Sequence, residues 1–268
     1  MPSPVKTNSQ GLDNLQQDHP NLTVSWVDSI DSTQQSVQAN SILIAEQQLA
    51  GVGRRGNRWL TPSGQAICFS YRFTLNAQTN QMSGYALMVA VSIIQVIKAF
   101  DGAAGSTTKA QLKWPNDLYF DQQKFGGILI HVKPMNPGAA GPKQLDVTVG
   151  IGINWSLSKE QLQSVDQPVC NIPLCDKPPR ADFINRLIKQ LNHNNPQFLA
   201  HGLSPFLQLW QQHDYLVNKP VCVTQDTGIV EGLYHGIDEQ GQLLIAINGM
   251  IKTYSAGEVS VRMIKPET

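Results

Sequence analysis

Three arginines and three glycines fall within nine residues, Gly51-Val52-Gly53-Arg54-Arg55-Gly56-Asn57-Arg58-Trp59. Glycine lets backbone N–H groups come close to a ligand. Guanidinium groups are fixed positive charges with paired donors suited to phosphate or carboxylate. The segment therefore reads as an anion-binding loop. No Lys-Ser or Lys-Thr follows the glycines, so it is not a Walker A loop. Trp59-Leu60-Thr61-Pro62 blocks the helix that a dinucleotide-binding GxGxxG turn would open. The same composition also suits a solvated basic hairpin or a nucleic-acid patch. Trp59 either stacks on an adenine or folds over the core.

Lys113-Trp114-Pro115-Asn116-Asp117 is a second candidate. Pro and Asn-Asp make a turn. A lysine at the end of an apolar strand, just before that turn, is held by the scaffold and can neutralise a phosphate or carboxylate. The alternative is an exposed turn with a snorkelling lysine. Asp31-Ser32-Thr33 offers hydroxyls at a helix start, which bond a neutral polar ligand or only cap the helix. Gly150-Ile151-Gly152-Ile153-Asn154 places glycines where a backbone or ligand approaches a strand closely. None of the six histidines sits at HExxH spacing, and all read as structural or surface residues. No Ser-His-Asp or Cys-His order stands out.

These segments need a scaffold. The first 21 residues are polar and carry three prolines, and read as a loose leader. Strands are expected at 22–27, 41–46, 66–75, 125–132 and 145–153, with a short helix from Ser29 and Asp31 to about residue 39. Residues 66–75 alternate Ile67, Phe69, Tyr71 and Phe73 against Cys68, Ser70, Arg72 and Thr74, the period of a strand. Residues 85–100 are mostly apolar with a polar stripe at Ser92, Gln95 and Lys98, the pattern of a buried helix. Residues 134–142 are a loop. Two amphipathic helices follow, the second beginning at Ser204-Pro205. After Asn218 come five short strands joined by turns at Asp226, 239–241 and Asn248-Gly249, which suggest a small barrel. Strands not each followed by a helix make the whole α+β, with a mixed or antiparallel main sheet.

The chain has 268 residues, 41% of them hydrophobic and 15% charged. A chain this long buries roughly 75% of its unfolded surface and needs no disulfide or metal to fold. Equal acidic and basic counts argue against a nucleic-acid carrier. No membrane helix and no secretory signal are evident, so no membrane partner is expected. Four cysteines without a CxxC pair are expected to be reduced thiols of a cytoplasmic protein, although Cys170 and Cys175 offer a weak zinc signal.

Taken in order, these segments resemble the biotin–protein ligases, or biotin–[acetyl-CoA-carboxylase] ligases. The matching pieces are Asp31-Ser32-Thr33, Ala45-Glu46-Gln47-Gln48-Leu49-Ala50-Gly51, Gly53-Arg54-Arg55-Gly56, Lys113-Trp114-Pro115-Asn116-Asp117-Leu118, Phe125-Gly126-Gly127-Ile128-Leu129, Gly150-Ile151-Gly152-Ile153-Asn154 and Gly257-Glu258-Val259-Ser260-Val261-Arg262. The resemblance implies a class II synthetase-like catalytic domain at 22–217 and an SH3-like C-terminal domain at 218–268. It implies two steps: biotin and MgATP give biotinyl-5′-AMP, and a lysine of an apo biotin carboxyl carrier domain of acetyl-CoA carboxylase takes the biotinyl group.

The resemblance assigns the catalytic charges to Arg54 and Lys113. It places Ser32, Thr33, Gln34, Gln48, Val52, Gly53 and Gly127, together with Arg54 and Lys113, around biotin. It places Arg54, Arg55, Trp59, Asn116 and Asn154 near the nucleotide. It does not identify the Mg²⁺ ligands, for which Asp117 is a candidate beside its turn-making role. It also raises a homodimer joined at sheet edges, with 125–132 as the strand to watch. Rival readings are a lipoate ligase or octanoyl transferase of the same superfamily, and a nucleic-acid module using Arg54, Arg55 and Arg58.

Two departures matter. The family loop often reads Gly-Arg-Gly-Arg-Arg-Gly, and here Val52 replaces the first arginine. A Val52→Arg variant is expected to hold the adenylate longer than the parent, and equal or faster release by the variant would count against this. Only about twenty polar residues precede the core, so no operator-binding domain and no specific DNA partner are expected.

Overall fold

The computed structural model describes residues 9–102, 109–135, 143–225, 228–257 and 259–264. Most of the 134–142 loop, the turn at Asp226 and Glu258 lie outside them. The main sheet has seven strands in the order β1-β2-β3-β7-β6-β5-β4. They are β1 (Thr23–Ile30), β2 (Ser41–Gln48), β3 (Ala66–Leu75), β4 (Gln111–Lys113), β5 (Asp117–Phe120), β6 (Gln123–Met135) and β7 (Gln144–Asn154). β1 and β2 run parallel, and every other neighbouring pair is antiparallel. The fold is α+β, with this mixed sheet and a separate antiparallel sheet towards the C-terminus.

The alternation in β3 is correct in period but both its faces are covered. Ile67, Phe69, Tyr71 and Phe73 are buried, and so are Cys68 and Ser70. The apolar face lies under helices α3 (Tyr85–Asp101) and α5 (Arg180–His201). The small polar face is the floor of the cavity described below. The polar stripe of α3 marks where α5 crosses it. Asn194 Nδ2 donates to Ser92 Oγ and to Gln95 Oε1, each at 2.8 Å.

Glu46 braces four elements. Its carboxylate accepts from Trp26 Nε1 at 2.9 Å and from Arg180 Nη2 at 2.9 Å to both oxygens. Arg180 Nη1 also donates to the Ala66 carbonyl at 3.1 Å. β1, β2, β3 and the first turn of α5 therefore meet at one buried ion pair.

The structure corrects the leader. Residues Ser9–Asp18 form helix α1, with Leu15 fully buried in the core. Asp18 pairs with Lys189 of α5 at 2.6 Å, and Gln16 donates to the Leu22 carbonyl at 2.8 Å. The helix after β1 is shorter than expected: α2 spans only Thr33–Ser36, with Ser32 at its N-cap position and Ser29 still in β1. Helix α4 (Lys159–Gln163), capped by Ser158, was not anticipated. Helix α6 (Ser204–His213) begins at Ser204, with Leu203 rather than Ser204 at the cap.

Five strands follow α6: β8 (Pro220–Gln225), β9 (Gly228–Ile237), β10 (Leu243–Ile247), β11 (Met250–Tyr254) and β12 (Ser260–Met263). They form an antiparallel sheet in the order β11-β10-β9-β8-β12. Asn248 and Gly249 take φ of +50° and +78° in the β10–β11 hairpin, as Asn-Gly turns do. The two sheets are stitched together. Trp114 Nε1 donates to the Gly241 carbonyl at 3.0 Å, and the Tyr215 N–H donates to the Leu112 carbonyl at 2.9 Å. No helix among the described residues is long and apolar enough to cross a membrane.

Candidate active site

A cavity of about 590 Å³ lies on the face of the main sheet opposite α3 and α5. Its floor is β3, β6 and β7, and its rim is the 51–59 loop, the 113–117 turn, Val259 and the β12 residues 260–262. One end is neutral and hydrogen-bonding. Gln48 Oε1 accepts from the Thr33 N–H at 2.7 Å and from Thr33 Oγ1 at 3.0 Å, and Ser70 Oγ donates to Thr33 Oγ1 at 3.0 Å. Ser32 Oγ is buried in this cluster without a hydrogen-bond partner. A buried hydroxyl left unpaired is costly, and one lining a cavity is placed to bond what enters it. Cys68 also lines this end; burial pushes its thiol up to about 12, so it is inert as a nucleophile.

The other end is cationic. Arg54, Arg55, Arg58, Lys113, Lys124 and Arg262 line the cavity against two carboxylates among the described residues, Asp117 and Asp166. Lys124 Nζ lies 2.7 Å from Asp117 Oδ1. Among the described residues the other five form no ion pair, so the end keeps a net positive charge suited to an anion. Burial draws Lys113 below the usual lysine range, partly offset by Asp117 and reinforced by Lys124, Arg262 and Lys219.

The Gly-Arg segment closes on itself as a tight hairpin. Val52 bridges to Arg58, the Gly53 N–H donates to the Asn57 carbonyl at 2.7 Å, and the Trp59 N–H donates to the Gly51 carbonyl at 2.9 Å. Arg54 leaves the hairpin to hold two other elements. Nη1 donates to Asn116 Oδ1 at 3.1 Å, and Nη2 donates to the Ala256 carbonyl. Asn116 in turn donates to the Ile128 carbonyl at 2.8 Å. One arginine thus joins the loop, the turn after Lys113 and the C-terminal sheet.

Trp59 folds onto the sheet. Its indole lies against Gly152, where a Cβ would stand 2.5 Å from the ring, and against Gly127. Lys124 Nζ sits 5.6 Å from the ring centroid. Gly150 makes similar room for Gln34, whose Oε1 would lie 2.2 Å from an added Cβ and which accepts from Ser70 Oγ at 3.1 Å. The glycines of β7 therefore seat two side chains. Gly152→Ala is expected to dislodge Trp59, red-shift its emission and destabilise the fold by about 1–3 kcal/mol; unchanged fluorescence and an unchanged urea midpoint would show that the ring does not rest there.

Of the residues singled out by sequence, Ser32, Thr33, Gln34, Gln48, Val52, Gly53, Arg54, Arg55, Trp59, Lys113, Asn116 and Gly127 all line this cavity. Asn154 does not. It is buried, and its amide donates to the Cys170 carbonyl at 3.0 Å, which ties down the segment leading from Asp166 and Gln167. Ser70, Tyr119, Lys124 and Asp166 were not singled out, and Arg262 stood only as the end of a matching piece. Ser70 carried a signal, as a small polar residue on the minor face of an alternating strand; Asp166 carried none. No histidine lines the cavity, and no group of three or more metal-ligating side chains occurs among the described residues.

Residues 21–154 match the Biotin/lipoate A/B protein ligase family, and residues 216–262 match the Biotin protein ligase C terminal domain. The bifunctional ligase/repressor BirA of Escherichia coli is 29% identical over 248 residues, which cover 90% of this chain and 74% of that protein. A biotin–[acetyl-CoA-carboxylase] ligase of Paracoccus denitrificans is 25% identical over 209 residues, covering 76% of this chain and 82% of that one. The fold is that of the biotin protein ligase of Aquifex aeolicus solved with biotin and ATP, with a TM-score of 0.70 at 24% identity, over 90% of this chain and 99% of that one. With both domains matched in order, the chain belongs to the biotin/lipoate A/B protein ligase family and, within it, to the biotin protein ligases.

Proposed function

We propose that this protein activates biotin with MgATP to biotinyl-5′-AMP and passes the biotinyl group to a lysine of a biotin carboxyl carrier domain of acetyl-CoA carboxylase. The observation that carries this reading is a single cavity with a neutral hydrogen-bonding end at Ser32, Thr33 and Gln48 and a cationic end around Lys113 and Arg54. A ureido ring both donates and accepts, which hydroxyls and a carboxamide satisfy. An apolar dithiolane would leave the same polar groups unpaired, which favours biotin over lipoate.

In this reading biotin lies with its ring at the neutral end and its carboxylate near Lys113. The ammonium lessens the repulsion between that carboxylate and the α-phosphate. A carboxylate oxygen attacks the α-phosphorus, the α–β bridging bond breaks, and pyrophosphate leaves with its electrons. Arg54 and Lys113 stabilise the charge gathered in this in-line transition state. An acceptor lysine, as free amine, then attacks the acyl carbon, AMP leaves, and the amide nitrogen loses its proton. Asp117 is already neutralised by Lys124, so Mg²⁺ fits here as a partner of the triphosphate rather than of a protein cage. It supplies charge neutralisation on the phosphates. Four free cysteines, one of them exposed, support a reducing compartment such as the cytoplasm.

The test is an intact-mass assay with biotin, MgATP and an apo biotin-acceptor domain. A biotin-sized gain on the acceptor supports the reading. Pyrophosphate without that gain means the acceptor is wrong, and neither product overturns the assignment.

A further inference from the structure

Lys113 is held by a stack that starts outside its own domain. Lys113 Nζ lies 3.3 Å from Tyr119 Oη and 5.0 Å from the Tyr119 ring centroid. The Tyr119 ring stacks on Tyr215, with centroids 4.6 Å apart and planes at 30°. Lys219 Nζ lies 3.8 Å from the Tyr215 centroid. Both tyrosines are buried.

Tyr215 is pinned beside the lysine. Its N–H donates to the carbonyl of Leu112, the residue before Lys113. Its neighbour Asp214 accepts from the Tyr234 hydroxyl of β9 at 2.6 Å and from the Leu216 N–H at 2.9 Å. The segment 214–219, which leads from α6 into β8, therefore touches the first sheet at Leu112 and Tyr119 and the second at Tyr234.

We infer that Tyr119 is a positioning residue for Lys113, and that Tyr215 holds Tyr119 in place, so the joint between the two sheets fixes where the ammonium sits. The consequence for rate rests on the adenylation reading; the consequence for Lys113 itself does not. Burial keeps the Tyr119 phenol well above its usual range, so it remains a neutral acceptor. A neutral acceptor favours the charged lysine. Burial and the charges of Lys124, Arg262 and Lys219 draw Lys113 down, and Asp117 opposes them; the hydroxyl 3.3 Å away is placed to oppose them too.

The experiment is competitive acetylation of the full chain with acetic anhydride across pH, read by peptide mass spectrometry with exposed Lys159 as the internal standard. Tyr119→Phe keeps the ring and removes the acceptor. Lys113 should then acetylate about three- to tenfold faster at a fixed pH, because more of it is free amine. Tyr215→Ala should shift reactivity the same way, and Tyr215→Phe should restore the parent profile. In parallel, the alkaline limb of biotin-dependent pyrophosphate release should move to lower pH in Tyr119→Phe. Parent-like Lys113 reactivity in Tyr119→Phe would overturn the inference, as would equal profiles for Tyr215→Ala and Tyr215→Phe. A parent that releases no pyrophosphate would overturn the adenylation reading, while the acetylation profiles would still decide the role of Tyr119.

Discussion

Lys113→Ala is expected to lower kcat/KM for biotin-dependent pyrophosphate release by about 10²–10³-fold, the usual cost of removing one preorganised donor from a charge-developing transition state. The magnitude follows from the site. Lys113 lines the cationic end of the cavity with its ammonium in no ion pair among the described residues, whereas Arg54 is already engaged with Asn116 and Ala256. The loss should not come from unfolding, because the side chain's hydrogen bond among the described residues is a long one to Tyr119. Lys113→Arg should rescue poorly, since a planar fork does not occupy the place of a point charge. Steady-state pyrophosphate assays beside circular dichroism would check this. A variant within threefold of the parent would remove Lys113 from the chemistry.

The second large effect concerns stability. Glu46→Ala leaves Arg180 charged and half-buried without its carboxylate, and leaves Trp26 Nε1 without its acceptor. Breaking a buried pair costs about 3–5 kcal/mol, and the partial exposure of Arg180 argues for the lower end. Urea unfolding should show a lower midpoint at unchanged slope. Replacing Arg180 by Met in the same chain should recover part of the loss, because the stranded charge goes with it. A Glu46→Ala midpoint equal to that of the parent would mean the brace contributes nothing.

Much of this was legible in the sequence, for reasons that differ by element. β3 announced itself through strict alternation, and the β10–β11 hairpin through Asn-Gly. The loop at 51–59 and the turn at 113–117 were legible because glycine, proline and clustered cations have few structural uses. Helix α1 was not, because only Leu12 and Leu15 mark its inner side while its other residues are polar. α2 was overestimated because Ser29, a cap candidate by residue type, still belongs to β1, and the helix stops at Ser36 where Val37 turns extended. Asn154 shows the limit of reading a site from a motif. A strand-end asparagine can contact a ligand or hold the loop that does, and only its hydrogen-bond partners distinguish the two. Lys124 and Asp166 reached the cavity through tertiary placement, which no local pattern records.

The hydrogen bond from Arg54 to Ala256 spans 202 positions of the chain. Ribosomal synthesis releases the residues in order, so the Gly-Arg hairpin and Lys113 emerge long before the strand that completes the rim. Until 256–262 have emerged, Arg54 lacks its Ala256 acceptor and the cavity lacks the wall that 259–262 supply. Placing one wall of the cavity in β12 therefore makes closure of the rim wait for a strand made more than 200 residues after the hairpin.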